Sequence, residues 1–211
     1  MKREEKNVLA RGRILQAALA EFSAKGYEGA SLNTVCAEND ISKGIIYHHF
    51  KDKDELYLLC VRACFDALTA YMQEKARALC GTTEERLRGY FDARLQFFAG
   101  QPLYLGIFTD AALDPPAHLC AAVAQSRNAF DALNIAILTG LLEHELLRKG
   151  LRVCDVAEDF RMYLDFFNTH FKAALRGGRS REAVLKEHEQ KCHRQLDIWL
   201  HGVLEDPHGK I

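Results

Sequence analysis

The stretch Ser31 to Lys53, SLNTVCAENDISKGIIYHHFKDK, constrains the chain more than any other, because its spacing predicts two short helices joined by a tight turn. Leu32, Val35 and Cys36 share one face of the first helix, and Ser31 stands where an N-cap is needed. Asn39 and Asp40 follow, the non-glycine residues that best tolerate the left-handed backbone of a sharp corner. Ile41 closes over that corner and Ser42 caps again. Lys43 to His49 form the second helix, with Ile46 and Phe50 one turn apart and facing inward. Lys43, Gly44, Ile45, Tyr47, His48 and His49 are left to point outward. Cationic, hydroxyl and imidazole groups on a short helix braced against another are what a helix-turn-helix offers to the DNA major groove.

The chain as a whole reads as all-α, with nine helices and no strands. Its 211 residues are enough to bury a sizeable core, and 4 prolines leave room for long helices. A helix from Val8 to about Lys25 carries Ile14, Ala18 and Phe22 and stops at Gly26, completing a three-helix head over residues 1–52. A larger helical body is expected over 53–211. It opens with a helix from Asp52 or Lys53 to roughly Leu79, whose buried side is read as Leu56, Leu59, Cys60, Ala63, Cys64, Ala67, Leu68 and Tyr71. Thr82 or Thr83 caps the next, which runs to about Ala99, and Gly100-Gln101-Pro102 opens a shorter one from Leu103 to Leu113. Asp114-Pro115-Pro116 is a stop. A helix from Ala117 to Arg148 follows, then a connector over Val153 to Val156. Two more helices, about Val156 to Leu175 and Arg181 to Val203, are split by Gly177-Gly178.

Composition limits the function classes. Hydrophobic content of 48% and charged content of 27% are those of an ordinary globular protein. No apolar run approaches a membrane span and the start MKREEKN lacks the core of a signal peptide, so a cytoplasmic protein without membrane partners is expected. Seven cysteines without regular spacing fit reduced thiols better than a disulfide framework. Net charge is −1, and residues 1–55 hold as many Lys and Arg as Asp and Glu. Attraction to phosphate must then come from the placement of Lys2, Arg3, Lys6, Arg11, Arg13, Lys43, Lys51 and Lys53.

The last two helices are apolar on more than one side. Phe160, Tyr163, Phe167 and Phe171 form one stripe, Met162 and Phe166 another, and Leu185, Cys192, Leu196 and Trp199 lie along the final helix. A helix that faces both its own core and something else often meets a second subunit, so this pair is read as a homodimer interface.

The run Ile41-Ser42-Lys43-Gly44-Ile45-Ile46-Tyr47-His48-His49-Phe50-Lys51-Asp52-Lys53-Asp54-Glu55-Leu56 resembles the signature of TetR-family transcriptional regulators. Ile14, Ala17, Ala18, Phe22, Gly26, Tyr27, Ser31 and Val35 fall at that family's first-helix core, glycine stop and second-helix start. The likeness covers about the first quarter of the chain, and it departs at Asp40, usually glycine, and Cys36, generally alanine. The resemblance implies contacts to double-stranded operator DNA from Ser31, Asn33, Ser42, Lys43, Gly44, Ile45, Tyr47, His48, His49 and Lys53. It implies a homodimer on a palindromic operator and a pocket for a small inducer, of unknown identity, in the body. The candidate lining is Tyr90, Phe91, Phe98, Tyr104, Phe108, Leu133 and Ile137, which suits a hydrophobic or amphipathic molecule. The expected function is that of a repressor released by its inducer.

Other readings stay open. His188 and Cys192 stand one helical turn apart, a metal-ligand spacing without a third ligand, and Cys60 and Cys64 stand at a spacing that suits an oxidant sensor. A helical interaction module without DNA binding is a further possibility. No Gly-rich phosphate loop, HExxH, GxSxG or Cys-x-x-Cys is present, so no catalytic residue and no cofactor is expected.

Overall fold

The computed structural model of the protein describes residues 3–176 and 179–204. Lys2 and the Gly177-Gly178 break lie outside the described residues, as do the side chains of Arg3, Lys6, Leu185, Cys192 and Leu196. The described residues form α1 (Arg3–Gly29), α2 (Leu32–Glu38), α3 (Lys43–His49), α4 (Lys53–Ala78), α5 (Thr83–Gly100) and α6 (Pro102–Leu113). After a 3-10 turn at Ala117–Leu119 come α7 (Cys120–Leu142), α8 (Val153–Arg176) and α9 (Arg181–Val203). Among the described residues the only extended pairing is an isolated bridge between Leu147 and Leu204. The all-α reading holds, and α2 to α6 begin and end close to where caps and glycines place them, whereas α1 begins at Arg3, before the expected Val8, and continues past its break at Gly26 to Gly29.

Two later boundaries differ from expectation. Arg152 and Asp155 form a paired fork at 2.6 and 2.7 Å, which puts a carboxylate in the first turn of α8 and starts that helix at Val153 instead of leaving a connector. The helix expected to reach Arg148 ends at Leu142. The chain leaves it because Arg148 is used elsewhere: its backbone N–H donates to Val203 O at 2.9 Å, and its guanidinium donates to the carbonyls of His201 and Leu204. Those are carbonyls at the open C-terminal end of α9, which would otherwise lack partners.

The contacts gather the chain into two units, Met1–Ala67 with Phe98–Asn128, and Leu68–Phe97 with Ala129–Ile211. The chain passes between them inside α4, α5 and α7.

In the first unit, α1 lies against α6, α2 and α3. Its inward residues Ile14, Ala18 and Phe22 are fully buried, as are Val35 of α2, Ile46 of α3 and Phe50. Gly26 interrupts α1 with φ 67° and ψ 179°, a backbone that glycine alone adopts readily. Helix α4 is buried more widely than the expected stripe. Leu56, Cys60 and Cys64 are inside, but so are Tyr57, Val61 and Phe65, while Leu59, Ala63 and Ala67 are half-buried. The reason is cover from two directions: Tyr57 meets Phe22 edge-on at 5.3 Å, and Phe65 meets Phe108 of α6 at 5.8 Å.

In the second unit α8 packs on α9. Phe160 lies 5.1 Å from Trp199, and the His188 ring sits 4.9 and 5.0 Å from those of Phe167 and Phe171. Phe160, Phe167 and Phe171 are therefore buried within this chain, and the face α8 turns outward carries Met162 and Phe166, the latter 73% exposed. The amphipathic pattern located the inner stripe, and the outer one is exposed in this chain.

The contact of α6 with α1 is made at Gly106, where an added Cβ would lie 2.7 Å from Ser23 Cα and closer still to its carbonyl oxygen. Backbone cannot yield as a side-chain tip does. Gly106→Ala should destabilise the protein by about 2 kcal/mol or more, as overpacking does, read as a lower urea midpoint.

Candidate nucleic-acid interface

The head is assembled from local hydrogen bonds. Ser31 accepts from the N–H of Asn33 at 3.2 Å and so caps α2, while its own N–H donates to Glu21 Oε1 of α1 at 3.0 Å. At the other end of α2, Ile41 N–H donates to Cys36 O at 3.0 Å and Asp40 takes φ 51°. This is a Schellman closure with aspartate at the left-handed position and buried Ile41 sealing it. Asn39 Nδ2 donates to Val35 O, and Arg13 reaches Asn39 O from α1. Ser42 Oγ accepts from Ile45 N–H at 3.3 Å and caps α3.

Within α3, Ile46 alone is buried, at 1% exposure. Lys43, Gly44, Ile45, Tyr47 and His48 are exposed, Tyr47 by 58%, and His49 is half-buried with its ring 4.9 Å from that of His48. A Cβ on Gly44 would meet nothing within 4 Å, so the chain itself sets no demand for glycine there. Asn33 is exposed nearby on α2, and Ser31 and Ser42 flank the face as caps.

Helix α4 begins with a second capping arrangement. Asp52 Oδ1 accepts from Glu55 N–H at 2.9 Å, and Glu55 Oε2 accepts from Lys51 N–H at 2.7 Å. Lys53 Nζ stands 4.4 Å over the Tyr27 ring, a cation–π contact that holds the ammonium at the base of the head. Arg11 similarly lies 5.4 Å over Phe50.

Three groups that the sequence pattern did not single out hold this arrangement. Glu21, buried in α1, takes a 2.8 Å ion pair from Lys25 besides the Ser31 N–H. Burial pushes its carboxyl pKa up, but the hydrogen bonds from Lys25 and Ser31 and the charges of Lys25 and Lys53 outweigh that and leave it below 4.5. Asp110 of α6, also buried, accepts from Tyr57 OH at 2.8 Å and from Tyr27 N–H at 3.2 Å. His118, in the 3-10 turn, stands 3.1 Å from Asp54, which also accepts a short hydrogen bond from Tyr27 OH. Burial, then the Asp54 contact, raises the Tyr27 phenol above its ordinary pKa, so it remains a donor. A buried carboxylate among apolar positions was the signal available for Glu21 and Asp110.

The candidate pocket residues separate. Tyr90, Phe91 and Ile137 line one cavity of about 30 Å³ in the second unit, together with Leu87, Leu138 and Phe160. Phe98 and Phe108 do not line it: their rings pack 4.9 Å apart in the core of the first unit. Tyr104, half-buried on α6, accepts at its carbonyl from Cys64 Sγ, and Leu133 is half-buried outside the lining.

The sensing alternatives gain little from the geometry. Cys60 and Cys64 are fully buried and burial pushes the Cys60 thiol up to about 12, far from the thiolate that oxidants attack. His188 is enclosed by Phe167 and Phe171, and the Cys192 side chain lies outside the described residues. Glu84, Asp197 and His201 do bring their donor atoms within 4.8 Å of one another. All three are exposed and Glu84 is paired with Arg88 at 2.7 Å, the ordinary state of surface charges. No helix among the described residues is long and apolar enough to cross a membrane.

Residues 14–60 match the family model described as bacterial regulatory proteins, tetR family. Over 56 residues the chain is 38% identical to the biofilm operon icaADBC HTH-type negative transcriptional regulator IcaR of Staphylococcus aureus strain Newman, a match covering 26% of this chain and 30% of that protein. The alignment thus spans under a third of the relative's length. The fold extends much further. The ketosteroid transcriptional regulator KstR2 of Mycobacterium tuberculosis superposes with a TM-score of 0.56 at 21% identity, over 93% of this chain and 95% of that one. The transcriptional regulator FadR of Bacillus subtilis, solved in complex with stearoyl-CoA, gives 0.61 at 16% identity, over 84% and 97%. The likeness in sequence to the tetR family of bacterial regulatory proteins is thus confined to the N-terminal head.

Because the folded pKa of Glu21 lies below its unfolded value near 4.5, its contribution is complete above pH 4.5 and is lost as the pH falls through the lower folded value. Glu21→Gln should be less stable than the parent at pH 7 and should lose less stability on acidification to pH 4. Urea unfolding at the two pH values measures both differences.

Proposed function

We propose that the protein is a dimeric DNA-binding regulator of transcription, most simply a repressor, released from a palindromic operator by a small ligand held in the helical body. The observation that carries the reading is α3: a capped helix anchored by Ile46 and presenting Lys43, Gly44, Ile45, Tyr47 and His48 to solvent. Tyr47 and the cap serines suit phosphate, and Lys43 at the helix start suits a base edge. Asn33, His49 and Lys53 complete the surface. Residues 1–52 act as the reading head and 53–211 as the ligand and dimer body.

Two heads must meet successive major grooves about 34 Å apart, which gives dimerisation its purpose. The outward face of α8, with Met162, Phe166 and the half-buried Tyr163, and the exposed Ile198 of α9 offer apolar surface for a second copy. A neighbour in fold holds stearoyl-CoA, which supports a body of this kind opening to an elongated ligand. A ligand that prefers one spacing of the body helices shifts the heads with it and lowers operator affinity.

A mobility-shift assay of the full chain on its own upstream region tests the reading, and absence of a sequence-specific shift at low salt would favour an interaction module. Tyr47→Ala and Lys53→Ala should weaken binding to all sequences about tenfold, whereas Lys43→Ala should also relax base preference. Gly44→Ala should raise stability by about 0.5 to 1 kcal/mol, as glycine is the poorer helix former, yet weaken operator binding. Operator affinity unchanged in all four variants would mean that another surface reads the DNA.

A further inference from the structure

Lys53 stands between two acids in the sequence, and each of them is engaged elsewhere. Asp52 Oδ1 accepts from Glu55 N–H at 2.9 Å, and its other oxygen lies 3.9 Å from Lys51 Nζ. Asp54 Oδ1 accepts the hydroxyl proton of Tyr27, and its Oδ2 lies 3.1 Å from His118 Nε2, where only an N–H suits a carboxylate. Burial, then the Asp54 contact, raises the Tyr27 phenol, so that hydroxyl keeps the proton it donates. Among the described residues no carboxylate comes within ion-pair reach of the Lys53 ammonium, which lies 4.4 Å over the Tyr27 ring instead. An aromatic face holds a cation in place without cancelling its charge. Tyr27 is itself fixed from behind, its N–H donating to Asp110 at 3.2 Å.

We propose that Tyr27 and His118 are positioning residues for Lys53: by holding the Asp54 carboxylate they keep the neighbouring ammonium unpaired, on the Tyr27 ring, for a DNA phosphate. The inference rests on the DNA-binding reading above and adds to it two residues that act through Lys53. Asp54 follows Lys53 directly in the first turn of α4. Released from its two donors, that carboxylate competes with phosphate for the same ammonium. An exposed ion pair is weak, so the competition costs a fraction of what removing Lys53 costs.

The experiment titrates full-chain variants on the protein's own upstream region and on a random-sequence duplex of equal length, at several salt concentrations. Tyr27→Phe keeps the ring and removes the hydroxyl. It should bind both duplexes roughly threefold more weakly, with a salt slope smaller by up to about 0.9, the size of one phosphate contact. His118→Ala should act in the same direction to a smaller extent. Asp54→Asn should raise affinity about threefold more in the Tyr27→Phe background than in the parent, because there alone the carboxylate competes for Lys53. Equal gains in the two backgrounds overturn the proposal, as do salt slopes unchanged in both Tyr27→Phe and His118→Ala. The His118 side chain is 55% exposed and its pair adds little to folding, so the same cycle with His118→Ala decides should Tyr27→Phe fail to fold. Preference for the upstream region with unchanged slopes overturns this inference alone. The expected losses on the random duplex without any such preference overturn the regulator reading alone.

Discussion

Helix α6 is held to α1 at two points one turn apart, and the first unit is built on that docking. At Gly106 the absence of a side chain lets the two backbones approach, and at Asp110 a buried carboxylate takes hydrogen bonds from Tyr27 N–H and Tyr57 OH. The two features need each other. Without the close approach the carboxylate would fall short of the chain that follows Gly26, and without the carboxylate the Tyr27 N–H at that break would lose its partner. Three segments, the end of α1, the first turns of α4 and α6, are thereby fixed about one buried polar side chain, whose hydrogen bonds make its burial tolerable.

Around that point the head acquires its orientation. Tyr27 gives its N–H to Asp110 and its hydroxyl to Asp54, and lies under Lys53, so one residue after the helix break ties α6 to the start of α4. His118 adds a contact from the 3-10 turn to the same Asp54. Glu21 does the corresponding work between α1 and the cap of α2. The helices that face outward are short, and side-chain to backbone bonds at Ser31 and Ser42 act with buried Val35 and Ile46 to place them.

Much of the head was legible in the sequence because its determinants are local. Ser31, Ser42 and Asp52 cap helices from within three residues, Gly26 breaks α1 where a left-handed residue is needed, and Asp40 turns the corner. What escaped is what joins distant segments. Nothing in periodicity marks Asp110 as the acceptor for an N–H 83 positions earlier. Likewise Lys149-Gly150 looks like the end of a long helix, yet Arg148 is drawn away to the end of α9. The apolar stripes of α8 were visible, but a stripe says only that a face is covered: Phe160, Phe167 and Phe171 are covered by the chain itself.

Helix α3 has seven residues and a single interior side chain. Two turns are too few to persist in water unaided, so its shape is borrowed from Ser42, Ile46 and the corner at Asp40. Its outward positions carry almost none of that burden. Lineages descended from such a chain are therefore free to exchange those side chains one at a time, and the chemistry that face presents can drift while the scaffold beneath stays folded.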